Sequence, residues 1–286
     1  MNRLPRGERA KVLHLLCEGQ SIRAVAHLTG CSKNTVTKLL VDAGAACAAY
    51  QDRVLRHLSC KRVQVDETWS FVRVKAANLP KAKVTARDAS DVWTWVALDT
   101  DTKLICSFYV GDRGLASARE FINDLAERFA NRVQLTCDGR RAHLKAVSDT
   151  FGGGIDYAQL VKIYGADNSR SPERRCSPPE CIGVEKKAPI DDPDPAHIST
   201  SFVERQNLTM RTSMRRFTRL TNGLSKIESH ACAVALHAMF YNFVRIHQTL
   251  KTTPTMAAGI TDRLWEMTDV VEIIEAHQQR QITQVV

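Results

Sequence analysis

No uncharged apolar run in this 286-residue chain approaches the ~20 residues that a membrane-crossing helix needs. Met1 to Pro5 does not lead into the apolar stretch of a secretory signal, so the expected location is cytoplasmic, with no membrane partner. Paired CxxC motifs and HExxH are both missing, which argues against the common zinc clips and zinc hydrolases; only Cys176, Cys181 and His197 have a spacing that hints at a metal clip. Nine cysteines, odd in number and scattered through a chain large enough to build its own core, are expected to be free thiols. No internal repeat is visible.

What is present is basic. Forty Lys and Arg stand against 31 Asp and Glu, a net charge of +9 that suits a polyanionic partner. The length and the 44% hydrophobic content allow a small module and one larger core. Residues 1–60 carry nine Lys or Arg and only four acids. Their apolar residues recur at helical spacing (Val12, Leu13, Leu15 and Leu16; Ile22, Val25 and Leu28; Val36, Leu39 and Leu40), which predicts three short helices. Between the second and third, Gly30 suits a left-handed turn and Ser32 a helix cap, the pattern of a helix-turn-helix. Its third helix would offer Lys33, Asn34, Thr35, Thr37 and Lys38 to base edges and phosphates of double-stranded DNA. A plain three-helix bundle would show the same periodicity.

From Lys61 the period changes to that of strands. Val63–Asp66 and Phe71–Val74 alternate, Val92–Leu98 and Leu104–Val110 are rich in β-formers, and Asp99 and Asp101 lie in a turn between them. A helix (Ala116–Phe129), a strand (Arg132–Cys137), a helix (Arg141–Phe151) and a strand (Tyr157–Ile163) follow. The order βββαβαβ predicts an α/β fold, a mixed sheet with helices on its faces. Residues 165–200 hold six of the nine prolines and are expected to form a long flexible excursion. Helical patterns then span Ser199–Leu220 and Leu224–His247, broken at Asn222-Gly223.

Three carboxylates stand where such a sheet exposes side chains: Asp66 at the close of a strand, Asp138 after the strand Val133–Cys137, and Glu204 in the first turns of a helix. Three acids can hold two hard divalent ions against a phosphodiester. Glu67 points to the other face from Asp66 on a strand, which leaves it a supporting role. Glu173, Glu180 and Glu185 are weaker candidates for the third acid because they lie in a stretch with no expected regular element. Beyond Glu204, Arg205, Arg211, Arg215 and Arg219 follow with no compensating acid, and Glu204, Arg211, Arg215 and Arg219 would share one helical face as a phosphate-binding stripe. Asn207 and His247 could position phosphate or water, or be ordinary hydrogen-bonding residues.

The segments Val65-Asp66-Glu67-Thr68-Trp69, Thr136-Cys137-Asp138-Gly139 and Phe202-Val203-Glu204-Arg205-Gln206-Asn207 resemble the three acidic motifs of DDE-type insertion-sequence transposases, especially those of the insertion-sequence-one type. Tyr241 to Leu250, followed by Thr253-Pro254, resembles the YN-R-H-L-TP tail that follows the catalytic core in many such enzymes and in integrases. The resemblance implies a ribonuclease H-like core over residues 61–260 with a Pro-rich insertion at about 165–200, preceded by the all-α helix-turn-helix of residues 1–60 and followed by a tail, 261–286. It further implies that Asp66 and Asp138 bind metal from adjacent strands, that Glu204 completes the site from a helix, and that the cofactor is two Mg²⁺ ions, with Mn²⁺ as an alternative. The implied activity is metal-dependent cleavage and transfer of DNA strands at terminal inverted repeats by a homodimer or larger assembly. The stretch from Asp138 to Glu204 is longer than that pattern's compact spacing, and the Pro-rich insertion accounts for the excess. Two other readings stay open: a helix-turn-helix regulator that has lost catalysis, and a nuclease of the ribonuclease H type without strand transfer.

Overall fold

A computed structural model of the chain describes residues 4–81, 90–165, 180–217 and 227–285. Its centre is a six-stranded sheet built from β1 (Arg62–Val72), β2 (Ser90–Asp99), β3 (Ile105–Gly111), β4 (Gln134–Asp138), β5 (Asp156–Tyr164) and β6 (Cys181–Ile190), in the order β3-β2-β1-β4-β5-β6. The first three strands form an antiparallel meander, β4 and β5 run parallel to β1, and β6 returns antiparallel along the edge. That order and direction give the mixed sheet that the sequence predicts, in the ribonuclease H-like arrangement that the resemblance implies.

Strand period sorts the side chains onto two faces. On one, Val63, Val65, Trp95, Ala97, Leu135 and Tyr157 pack against α4 (Leu115–Ala126) and α5 (Arg141–Phe151), through Phe121, Ile122, Ala146 and Val147. On the other, Val96, Leu98 and Ile105 meet α6 (Ser201–Ser213) and α7 (Ile227–Met239), through Val203, Met210, Val234 and Ala238. Trp95 and Phe121 are completely buried, and each such side chain contributes about 1.5–3 kcal/mol.

The N-terminal helices are α1 (Arg6–Cys17), α2 (Ile22–Thr29) and α3 (Lys33–Val54). Gly30 closes α2 at φ 68°, and the Ser32 hydroxyl accepts a hydrogen bond from the Thr35 amide at the start of α3, both as expected. The third helix is not short, however. It runs for 22 residues because Ala43, Ala46 and Cys47 continue its buried stripe against later parts of the chain. Gly44 lies so close to α7 that a Cβ there would sit 2.3 Å from the Cβ of Cys232, and the Gln51 amide donates to the Ala235 carbonyl. After the short helix α8 (Pro254–Ala257), α9 (Met267–Val285) packs on α1 and α3, where Arg6 and Arg9 pair with Glu275. One hydrophobic cluster therefore continues from Leu13 and Leu40 through Met239 and Val270 to the sheet.

Four expectations need correction. Asp66 does not close a strand: β1 continues to Val72, because Thr68 and Ser70 are buried under helices rather than turned to solvent. The 165–200 stretch is not wholly irregular, since β6 takes the open edge of β5 and satisfies its backbone groups there, placing Glu185 on a strand. The helix predicted over Ser199–Leu220 ends at Ser213, where the buried Met214 takes extended backbone. The helix predicted over Leu224–His247 gives way at Phe240 to one wider turn, Phe240–Val244. Pro172, Glu173, Cys176, Pro178, Pro179, Arg219 and Asn222-Gly223 lie outside the described residues.

Candidate metal centre

Alternation along β1 turns Gln64, Asp66, Thr68 and Ser70 toward α6 and α7. The Gln64 side-chain carbonyl accepts from the amides of Phe202 and Val203 at 2.9 and 3.1 Å, capping a helix whose own N-cap, Thr200, offers no side-chain bond to those amides. One turn further, Asn207 donates its side-chain amide to Asp66 Oδ2 at 2.8 Å. Three hydrogen bonds thus lock the start of α6 onto β1. Asn207 Oδ1 is itself buried and has no partner among the described residues. Burial pushes the Asp66 carboxyl up to about 6, and the charges of Glu67 and Asp138 add to it against the opposing bonds from the Glu67 amide and Asn207.

The pairing of Gln64 with Thr136 in the parallel β1–β4 ladder carries Asp66 and Asp138, each two residues on, to matching positions at the end of that ladder. Oxygens of Asp66, Glu67 and Asp138 lie within 4.8 Å of one another. Asp138 Oδ1 accepts from the Arg140 amide at 3.2 Å and lies 3.1 Å from His143 Nδ1 on α5.

Glu67 faces the opposite way from Asp66, as strand period requires, and enters the α4/α5 layer. His143 Nε2 stands 2.9 Å from its carboxylate, with Arg113 at 3.2 Å and Arg140 at 3.6 Å. Burial would raise the Glu67 pKa, but His143 and Arg113 outweigh it and hold the group below its ordinary value. Burial likewise disfavours a charged His143, yet Cys137, Asp138 and Glu67 raise it well above an ordinary imidazole. A protonated His143 therefore ties Glu67 to Asp138 from behind. Sequence reasoning missed His143, Arg113, Arg140 and Gln64; the available signal for His143 was its place in the first turn of the helix after Asp138.

Glu204 lies in the first turn of α6, but its carboxylate is held elsewhere than in the three-acid cluster. Lys162 Nζ lies 2.6 Å from both of its oxygens, and the Thr200 hydroxyl donates to Oε1 at 2.5 Å. Lys162 sits on β5 two residues beyond Leu160, the partner of Asp138 in the ladder, so it shares that face. It too was missed.

The basic stripe does not form as a single face. Arg205 and Arg211 are exposed on α6, Arg215 stands on a separate turn (Arg215–Phe217), and Arg219 is outside the described residues. His247 lies in a loop, takes a bond from the Thr249 amide at 3.3 Å and meets Tyr241 edge-on. In the tail motif, Asn242 is buried and both donates to and accepts from the backbone of Ile105, a structural clasp on β3. In the N-terminal helices Lys33, Asn34, Thr35 and Lys38 are exposed and Thr37 is half-buried; Lys38 pairs with Asp42 at 2.5 Å. Of the hinted metal clip, Cys181 is exposed and His197 lies against Arg62, away from any cluster of ligands among the described residues.

The carboxylate oxygens of Asp66, Glu67 and Asp138 form an oxygen donor set, which fits hard cations such as Mg²⁺ or Mn²⁺ better than the softer zinc sites. Cys137, near Asp138 and His143, could add a sulfur, but its Sγ lies 2.7 Å from the Tyr157 hydroxyl.

No family model matches the sequence, and no curated protein does. Among solved structures the chain is similar to the Mos1 strand transfer complex at 18% identity and TM-score 0.23, covering 55% of this chain and 59% of that one. It is also similar to the Mos1 mariner paired-end complex with Mn, at 16% identity and TM-score 0.23 over 53% and 58% of the two chains. A simian T-cell lymphotropic virus intasome in complex with PP2A regulatory subunit B56 gamma gives 15% identity and TM-score 0.38 over 87% and 74%. The matched part spans less than two thirds of the Mos1 chains. Superpositions this loose assign no function.

Proposed function

We propose that this chain is a DNA transposase that binds terminal inverted repeats and uses divalent metal ions, Mg²⁺ or Mn²⁺, to cleave DNA and transfer the cut strand. The observation that carries this is the position of Asp66 and Asp138 on adjacent parallel strands at matching register, with α6, the helix that bears Glu204, bonded to Asp66 by Asn207. Asp66, Asp138 and Glu204 would hold the ions, which supply Lewis acidity and an activated water or 3′-hydroxyl. The residues do the rest. Asn207 fixes the Asp66 carboxylate, His143 fixes that of Asp138, and Gln64 anchors the helix that carries Glu204. Exposed Arg205 and Arg211 offer phosphate contacts beside the acids, to which Arg215 and Arg219 would add.

In this reading residues 1–60 form the DNA-binding part. Lys33, Asn34, Thr35 and Lys38 stand free of the core on the first turns of α3, where a recognition helix presents its base contacts. Residues 61–260 carry the catalytic fold with the insertion at about 165–200, and 261–286 supply α9. Joining two DNA ends in one event calls for a homodimer or larger assembly.

The test is to incubate the protein with Mg²⁺, an end-labelled duplex from the DNA flanking its gene, and a supercoiled plasmid. Label joined to plasmid supports transposition. Cutting without joining would reduce the protein to a nuclease, and binding without cutting would make it a regulator.

A further inference from the structure

Lys162 sits where an ion-binding carboxylate would need to be free. Its ammonium touches both oxygens of Glu204 at 2.6 Å, and Thr200 takes a second lone pair on Oε1. Oε1 thus has both lone pairs engaged and Oε2 one, so a cation seated on both oxygens would have to displace the ammonium. The strand ladder explains why the lysine is there: Leu160 of β5 pairs with Asp138, and Lys162 lies one side-chain repeat further on the same face. Its ammonium also feels the Asp66 charge. Other cations near the acids are committed behind the sheet, where Arg113, Arg140 and His143 surround Glu67. Among the described residues Lys162 is the cation paired directly with Glu204 on the open side.

We propose that Lys162 is a positioning residue that stands in for the divalent ion. It holds Glu204 in the ion-free chain, and it is displaced when metal binds. The proposal rests on the metal-site reading above. Two features suit the exchange. The pair is about a third exposed, with side-chain exposures of 32% and 39%, and ion pairs of that kind are weak enough to break. Lysine carries its charge on a flexible four-carbon stem, so the ammonium can swing away while β5 stays fixed. A merely structural lysine would give the opposite result on removal, because loosening α6 would weaken ion binding.

The experiment is Mn²⁺ titration of the EDTA-stripped full chain, with free Mn²⁺ followed by its electron paramagnetic resonance signal. Loss of a competing ion pair of this kind predicts that Lys162→Met binds Mn²⁺ roughly twofold to fivefold tighter than the unaltered protein. Lys162→Arg should stay close to the unaltered protein, and Lys162→Met should give no gain in a Glu204→Gln background. Lys162→Gln provides a second neutral variant if Lys162→Met does not fold. Unchanged or weaker binding in a folded neutral variant would overturn the role of Lys162. Mn²⁺ binding that survives Asp66→Ala and Asp138→Ala would instead overturn the metal site, a different outcome read from different variants.

Discussion

Asn207 donates its side-chain amide to Asp66 across 2.8 Å, and this bond joins the helix carrying one acid to the strand carrying another. Its other amide atom, Oδ1, is buried without a partner among the described residues, so the bond is made at the expense of an unsatisfied acceptor. A residue held in this way is better explained by the carboxylate it orients than by packing. Asn207→Ala should lower metal affinity or cleavage by about 10- to 100-fold, the usual cost of losing a partner that orients a ligand. The dependence of cleavage rate on Mg²⁺ concentration measures it; an unchanged midpoint and rate would leave Asn207 a packing residue.

Asp66 is destabilising as it stands in ion-free protein. Its carboxyl is pushed up from 3.8 to about 6, chiefly by burial. Between those values the folded chain keeps a proton that the unfolded chain has lost, so the Asp66 contribution is fully present below 3.8 and is lost as pH rises through 6. Asp66→Asn should therefore be more stable than the unaltered protein by about 3 kcal/mol near pH 8, with no difference near pH 3.5. Urea unfolding in EDTA across that range is the measurement. A gain of equal size at both ends would contradict the burial argument.

The Glu67–His143 pair is closed on all sides, with both side chains at 1% exposure or less. Removing His143 strips a buried partner from Glu67 while Arg113 and Arg140 remain beside it, so His143→Ala should cost about 1–3 kcal/mol. Glu67→Gln in the same chain should recover part of that loss. If the two losses simply add in urea unfolding, the residues are not coupled.

Much of this was legible beforehand. The order of strands and helices followed from a switch between two-residue and helical periods, and the opposed directions of Asp66 and Glu67 followed from strand pleat alone. What was not legible depends on neighbours distant in sequence. Thr68 and Ser70 look like a polar turn until α6 and α7 cover them. Lys162 is one more charge on a strand until the ladder sets it beside Asp138. β6 was hidden because its residues gain backbone pairing rather than burial: Ile182 and Val184 stay exposed. The arginine stripe failed at Met214, which leaves helical geometry to enter the core.

The close approach of α3 and α7 at Gly44 gives a test of the long third helix. Glycine in a helix is ordinarily improved by alanine, by up to about 1 kcal/mol. Here the added carbon would lie 2.3 Å from the Cys232 Cβ, so Gly44→Ala should instead destabilise by about 1–3 kcal/mol, read as a fall in melting temperature. A rise would mean that the two helices do not meet as described.

The most direct measurement is nicking of supercoiled plasmid DNA in Mn²⁺ by the unaltered protein and by Asp66→Asn and Asp138→Asn, with circular dichroism matched among the three. The paired strand-borne carboxylates are predicted to be indispensable, so each variant should lose roughly a thousandfold or more in rate. Cutting at an undiminished rate by either folded variant would contradict the account.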